Sequence, residues 1–146
     1  MAIKRIGSVV PGPEDGSINL PISSITVVKG DLLVPSGNVL ILATAALGVT
    51  TSSLWQAVES ATTADTEVKV RIVTLWDLFE VDTTADTATS QILERMILTD
   101  EHTINNSSTD VAADEGIFEC LAMKGAVGDR KLIGRFIALG QDADVS

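Results

Sequence analysis

The heptapeptide Glu67-Val68-Lys69-Val70-Arg71-Ile72-Val73 alternates charged and apolar residues for its first six positions. Successive side chains on an extended backbone point to opposite faces, so Val68, Val70 and Ile72 share one face and Glu67, Lys69 and Arg71 the other. An α-helix would scatter the same residues around its circumference. The segment therefore reads as a β-strand with one face in a core.

Runs of similar character lie on both sides, at residues 25–28, 31–34, 39–43, 54–59, 78–82, 117–123 and 132–138. Turn chemistry separates them, at Lys29-Gly30-Asp31, Pro35-Ser36-Gly37-Asn38, Asn105-Asn106-Ser107-Ser108 and Gly125-Ala126-Val127-Gly128-Asp129. Gly and Asn supply the positive φ that tight turns require. The last of these turns joins two apolar runs as a hairpin. About eight short strands at this spacing predict an all-β domain, a small barrel or sandwich. Residues 90–100 (SQILERMILTD) fit a short helix or a strand, and the alternation of Arg95, Ile97 and Thr99 favours a strand for the second half. Residues 44–56 have room for a helical turn before Trp55.

Residues 1–24 differ from the rest. Gly7, Pro11, Gly12, Pro13, Gly16 and Pro21 oppose helix and central strand alike. Yet Ile3, Ile6, Val9, Val10, Ile18, Leu20 and Ile22 make the segment more apolar than a solvated tail needs. It reads as an extended N-terminal arm that either docks on a partner or packs across its own domain. The organisation expected is an arm at 1–24, a β-domain at 25–140 and a polar C-terminal tail at 141–146. The N-terminus has no apolar stretch of the kind a secretion signal carries, and the apolar run 39–49, interrupted by Thr44 and Gly48, is too short to span a bilayer.

Composition narrows the function classes. At 146 residues the chain supports one domain with a core of its own, and 45% hydrophobic with 21% charged residues is a globular balance. A formal charge of -10 repels a phosphate backbone, so no nucleic-acid partner is expected. Aromatic residues make up 3% of the chain, too few for the stacking platforms on which sugars and single-stranded nucleic acids rest. Against this acidity, the first 13 residues carry Lys4 and Arg5 and no acid.

Catalytic chemistry has little to draw on. Any Ser-His or Cys-His scheme depends on His102, the one histidine, which sits in the polar stretch Asp100-Glu101-His102-Thr103 and reads as a solvated loop residue. Cys120, the one cysteine, lies in an apolar run and reads as a small buried hydrophobe. One of each is too few for a zinc set of the usual Cys/His kind. Carboxylates in loops, among them Asp100, Glu101 and the 110–115 stretch, leave room only for weak cation binding and follow no EF-hand pattern. No cofactor is expected, and the chain does not read as an enzyme. Trp55 and Trp76 are each either a core filler, the favoured reading, or an interface anchor. The pentapeptide Thr-Thr-Ala-Asp-Thr occurs at 62–66 and 83–87, too short a repeat to signal duplication, and marks two polar, exposed loops.

The order of pieces resembles the small β-barrel decoration, or cement, proteins of tailed bacteriophage heads. The residues that carry it are Val28-Lys29-Gly30-Asp31-Leu32-Leu33-Val34, Ala43-Thr44-Ala45-Ala46-Leu47-Gly48-Val49 and Glu67-Val68-Lys69-Val70-Arg71-Ile72. With them go Phe79-Glu80-Val81-Asp82, Arg95-Met96-Ile97-Leu98-Thr99-Asp100, Ile104-Asn105-Asn106 and Gly134-Arg135-Phe136. It spans roughly residues 25 to 138 and records strand and turn punctuation more than a unique chemistry. The resemblance implies a homotrimer, made in the host cytoplasm, that adds to the outer surface of an assembled capsid and clamps neighbouring major capsid subunits. A terminal arm of such a protein contacts the shell, which makes Lys4, Arg5, Ile6, Val9 and Val10 the capsid-contact candidates and Trp55 and Trp76 the interface anchors. The alternative is a binding module of another virion part, a fibre base or receptor-binding domain, with the loops at 62–66 and 83–91 as its reading surface.

Overall fold

The computed structural model describes residues 3–8, 16–44, 53–107 and 116–137. Within them the chain forms two antiparallel sheets. Sheet A runs in the order β1 (Ile3–Ser8), β7 (Asp77–Asp82), β11 (Lys131–Phe136), β10 (Phe118–Met123), β8 (Arg95–Asp100), β9 (Thr103–Asn105). Sheet B runs β2 (Ser17–Pro21), β6 (Glu67–Ile72), β5 (Trp55–Ala57), β3 (Leu32–Ser36), β4 (Val39–Leu42). The expected all-β class holds, as two separate sheets of sandwich type and not as a closed barrel. A single 3₁₀ turn (Thr89–Gln91) precedes β8, so the ambiguous 90–100 segment is a strand in its second half.

Eleven strands stand among the described residues where about eight were expected. Residues 25–28 do not form one, since Val27 makes only an isolated bridge to Ala61. β9 and, above all, the N-terminal segment supply the excess. Of the two readings of residues 1–24, the one that packs across its own domain holds for the described residues, so residue 25 marks no separation between arm and domain there. β1 pairs with β7 from Ile3↔Val81 onward, and β2 pairs with β6 along Ser17↔Arg71 to Pro21↔Glu67. Both strands sit at sheet edges, where Pro21 and the bulge between Arg5 and Gly7 are tolerated, because an edge strand leaves half of its backbone groups outside the ladder. The residues expected as a tail at 141–146, and the helical turn proposed before Trp55 up to residue 52, lie outside the described residues.

Alternation along β7, β8, β10 and β11 sends Phe79, Val81, Met96, Leu98, Phe118, Cys120, Leu132 and Phe136 into one core, which Ile3 of β1 and Leu32 of β3 also enter. The three phenylalanines meet there. Phe136 lies 5.1 Å from Phe79 at a near-perpendicular 72° and 5.2 Å from Phe118 at 60°, the edge-on geometry that aromatic quadrupoles prefer. A second core lies on the opposite face of sheet B, where Leu33, Leu40, Ala57, Val68 and Val70 are covered by Ile22, Val27 and Ala61. The Val68/Val70 face read from the heptapeptide is thus buried by a crossing loop, and its charged face turns toward sheet A.

Cys120 is fully buried, as its apolar run implied. Burial pushes its thiol up to about 11, with the Ala122 backbone hydrogen bond opposing the rise and Glu119 adding to it. The nucleophilic thiolate is correspondingly scarce. At pH 8 the folded chain is expected to react with Ellman's reagent about a hundredfold more slowly than the urea-unfolded chain. Equal rates in the two states would show the thiol to be accessible.

The two copies of Thr-Thr-Ala-Asp-Thr have different fates. Residues 62–66 form the exposed turn expected, closed by the Asp65 carboxylate accepting the Thr62 N–H at 2.8 Å. In the second copy Thr83 and Thr87 are buried, which corrects the reading of an exposed loop. The Thr83 hydroxyl donates to the Ala85 carbonyl at 2.8 Å, and the Thr87 hydroxyl accepts the Gly128 N–H at 3.2 Å. Buried Asn106 holds the same loop by accepting the Ala85 N–H and donating to the Ala85 carbonyl. Identical pentapeptides differ because only the second passes beneath β9 and the 125–129 turn.

Candidate functional site

Arg71, on the charged face of β6, joins the lining of a cleft. Arg71 pairs in register with Gln56 of β5, and Gln56 with Leu32 of β3, so the three share the face of sheet B that looks toward sheet A. Leu32 is sealed in the core beneath sheet A, whereas Arg71 lies farther along, past Gln56. Gln56 is the hinge between the covered and open parts. Its buried amide donates to the Ile3 carbonyl of β1 at 2.8 Å and to the Gly30 carbonyl at 3.1 Å, tying the edge of one sheet to the other. Gly30, at φ +100°, is needed for this approach, because a Cβ there would stand 3.2 Å from the Ile3 oxygen and strain the backbone as well.

Beyond Gln56 an open cleft of about 470 Å³ is lined by Ile3, Lys4 and Arg5 of β1, Lys29 and Gly30 of the connecting turn, Val58, and Arg71. No acidic side chain among the described residues lines it. Four of the ten basic residues of a chain with net charge -10 therefore converge on one concavity. Neither Lys4 nor Lys29 pairs with a carboxylate among the described residues. Arg5 does, its Nε donating to Asp77 Oδ1 at 2.9 Å. Among the described residues the Arg71 Nε is buried without a hydrogen-bond partner, an arrangement that costs about 1–3 kcal/mol until an acceptor reaches it.

The capsid-contact candidates are thus divided. Lys4 and Ile6 are exposed on β1, Arg5 is half-buried in its ion pair, and Val9 and Val10 lie outside the described residues. Lys29 and Arg71 were not singled out in the sequence. The signal available was only that Arg71 alternates out of phase with the valines of its strand. Trp55 is half-buried against the second core, its indole N–H donating to the Ser53 hydroxyl at 2.8 Å, and it edges a smaller groove of about 230 Å³. Trp76 corrects the core reading. It is 52% exposed because it belongs to the Thr74–Asp77 turn, where the Asp77 carboxylate accepts the Thr74 N–H and the indole is turned outward.

His102 lies in a different cluster. Its Nδ1 is 3.7 Å from both Asp31 Oδ1 and Glu101 Oε1, and its Nε2 is 3.6 Å from Asp100 Oδ2. Burial raises the Asp31 carboxyl above its usual range, opposed by the Val28 N–H and reinforced by Glu101. The 110–115 carboxylates lie outside the described residues. No helix among the described residues is long and apolar enough to cross a membrane.

Compared with family models, with curated proteins and with solved structures, the chain finds no match.

Proposed function

We propose that this chain is a structural virion protein, not an enzyme, that binds the outer surface of an assembled phage capsid and stabilises it by clamping neighbouring major capsid subunits, as a homotrimer. The observation that carries the reading is the cleft. An acidic protein that gathers Lys4, Arg5, Lys29 and Arg71 around one concavity has a place where an acidic segment of a shell protein is attracted while the rest of its surface is repelled. A carboxylate entering beside Arg71 is also the kind of acceptor its Nε lacks. Exposed Ile6, on the same strand, adds apolar area beside the charges. The resemblance of the strand and turn order to capsid decoration proteins supplies the identity of the partner.

The test is cosedimentation with purified capsids of the parent particle. Lys4→Glu together with Lys29→Glu is expected to weaken association at least tenfold, about 1.4 kcal/mol, while Lys124→Glu in the exposed β10–β11 turn leaves it within twofold. Association of the wild-type chain should fall as salt rises, because exposed charges are screened. A cleft variant that binds as the wild type does would remove the cleft from the interface. Wild-type protein that fails to sediment with capsids, while labelling a tail or fibre, would replace the cement reading by the fibre or receptor-binding one.

A further inference from the structure

Asp31, one residue beyond the cleft's Gly30, leads into β3 of sheet B, while Glu101 and His102 form the turn between β8 and β9 of sheet A. The two sheets are joined here by the Leu32 N–H donating to the Glu101 carbonyl at 2.9 Å. That bond brings together side chains some seventy positions apart in sequence. One ligand atom from each of Asp31, Glu101 and His102 lies within 4.8 Å of the other two.

The arrangement is not explained by the contacts inside it. Separations of 3.7 Å from His102 Nδ1 to each carboxylate are too long for hydrogen bonds. Asp31 is 4% exposed; its Oδ2 accepts the Val28 N–H at 2.9 Å, and its Oδ1 accepts no hydrogen bond among the described residues, facing the imidazole instead. No lysine or arginine among the described residues pairs with Asp31, Asp100 or Glu101. Three carboxylates thus surround one imidazole, which even when protonated offsets a single charge.

Donors that surround a point without bonding to one another suit a cation at that point. In a tetrahedral zinc site with bonds of 2.0–2.2 Å the ligand atoms stand about 3.4 Å apart, so the two 3.7 Å separations from His102 close by a few tenths of an ångström, while the two carboxylate oxygens, within 4.8 Å of each other, draw together around the ion. The far side of the ring fits as well. Asp100 faces Nε2 at 3.6 Å, beyond hydrogen-bond range, and its other oxygen accepts the His102 N–H at 3.0 Å; an approach of a few tenths of an ångström would give the carboxylate that orients a metal-bound histidine. An imidazole donor beside carboxylates selects zinc-like ions over calcium or magnesium, which prefer oxygen alone.

We propose that Asp31, Glu101 and His102 bind one divalent transition-metal ion of zinc type through two carboxylate oxygens and Nδ1, linking the two sheets, with Asp100 as a positioning residue. Three protein donors leave a coordination position for water. The site stands independently of what the cationic cleft binds. A reading of cysteine and histidine numbers alone misses it, because two of its donors are carboxylates and its elements meet only in the fold.

The experiment uses the full chain, stripped with EDTA and titrated calorimetrically with Zn²⁺ and separately with Ca²⁺. One equivalent of Zn²⁺ is expected to bind at micromolar affinity or tighter, and Ca²⁺ at least a hundredfold more weakly. Glu101→Gln and His102→Gln, both on a partly exposed turn, should each weaken Zn²⁺ at least tenfold with unchanged circular dichroism. Since His102 is the one histidine in the chain, one equivalent of Zn²⁺ should also slow its modification by diethylpyrocarbonate at least tenfold. Absence of Zn²⁺ binding, unslowed modification, wild-type affinity in Glu101→Gln, or Ca²⁺ binding as tight as Zn²⁺ would each overturn the site.

Discussion

Replacing Arg5 by Ala is expected to destabilise the fold by about 3 kcal/mol, measured by urea unfolding, while Lys4→Ala on the same strand changes stability by less than about 0.5 kcal/mol. The two side chains are adjacent in sequence and opposite in circumstance. Arg5 is 17% exposed and Asp77 7%, and the guanidinium Nε donates to the carboxylate at 2.9 Å. Removing Arg5 leaves the Asp77 charge buried with only the Thr74 N–H to satisfy it. Removing Lys4 leaves nothing buried, because its side chain is exposed and without a carboxylate partner among the described residues. The same comparison decides whether β1 belongs to the fold. A free arm would tolerate both substitutions equally, and equal, small effects would contradict the pairing of β1 with β7. The functional consequence is that Arg5 variants confuse unfolding with loss of binding, so Lys4 and Lys29 are the residues on which capsid association is best tested.

Gly134→Ala is expected to cost about 3 kcal/mol or more, and to lower the thermal midpoint accordingly, although it adds a single methyl group. Gly134 lies in β11 opposite Cys120 of β10. A Cβ at this position overlaps the Glu119 carbonyl oxygen, which is backbone, and the ring edge of Phe118. Phe118 has nowhere to retreat, since it is fully buried against Phe136. The strand must separate from its neighbour or the aromatic cluster must repack. Gly16→Ala is the control and should be near neutral, because a methyl group added there meets no atom of the described residues within 4 Å. A Gly134→Ala protein as stable as the wild type would mean that β10 and β11 are farther apart than described.

Legibility in the sequence followed the range of the forces involved. The alternation of Val68 and Val70, the turn at 125–129 and the burial of Cys120 are local facts of chemistry, and the structure agrees with each, whereas Ile72, at the end of the same strand, is exposed and not in the core. The N-terminal strands were hidden for a physical reason. Gly and Pro forbid a central strand but not an edge strand, and whether an edge exists to be joined depends on β6 and β7, about fifty to eighty residues away. Trp76 was misread because apolarity predicts a preference for burial, while the turn closed by Asp77 decides where the ring points. The twin pentapeptides make the same point within one chain, being one sequence in two environments.

The candidate sites divide in the same way. Lys4 and Arg5 were visible as positive charge in an acid-free stretch, but Lys29 and Arg71 joined them only when Gln56 tied β1 to sheet B. His102 looked like a lone loop histidine because Asp31 is distant along the chain, and a single hydrogen bond from Leu32 to Glu101 makes them neighbours. By itself the sequence determined that this chain is acidic, poor in aromatic residues and built of short strands, since charge, composition and period-two alternation are properties of residues and their nearest neighbours. Tertiary structure alone decided which strand edges were filled, which charged side chains line a cleft and which carboxylates share an imidazole. Those outcomes depend on contacts between distant segments, which no local pattern encodes.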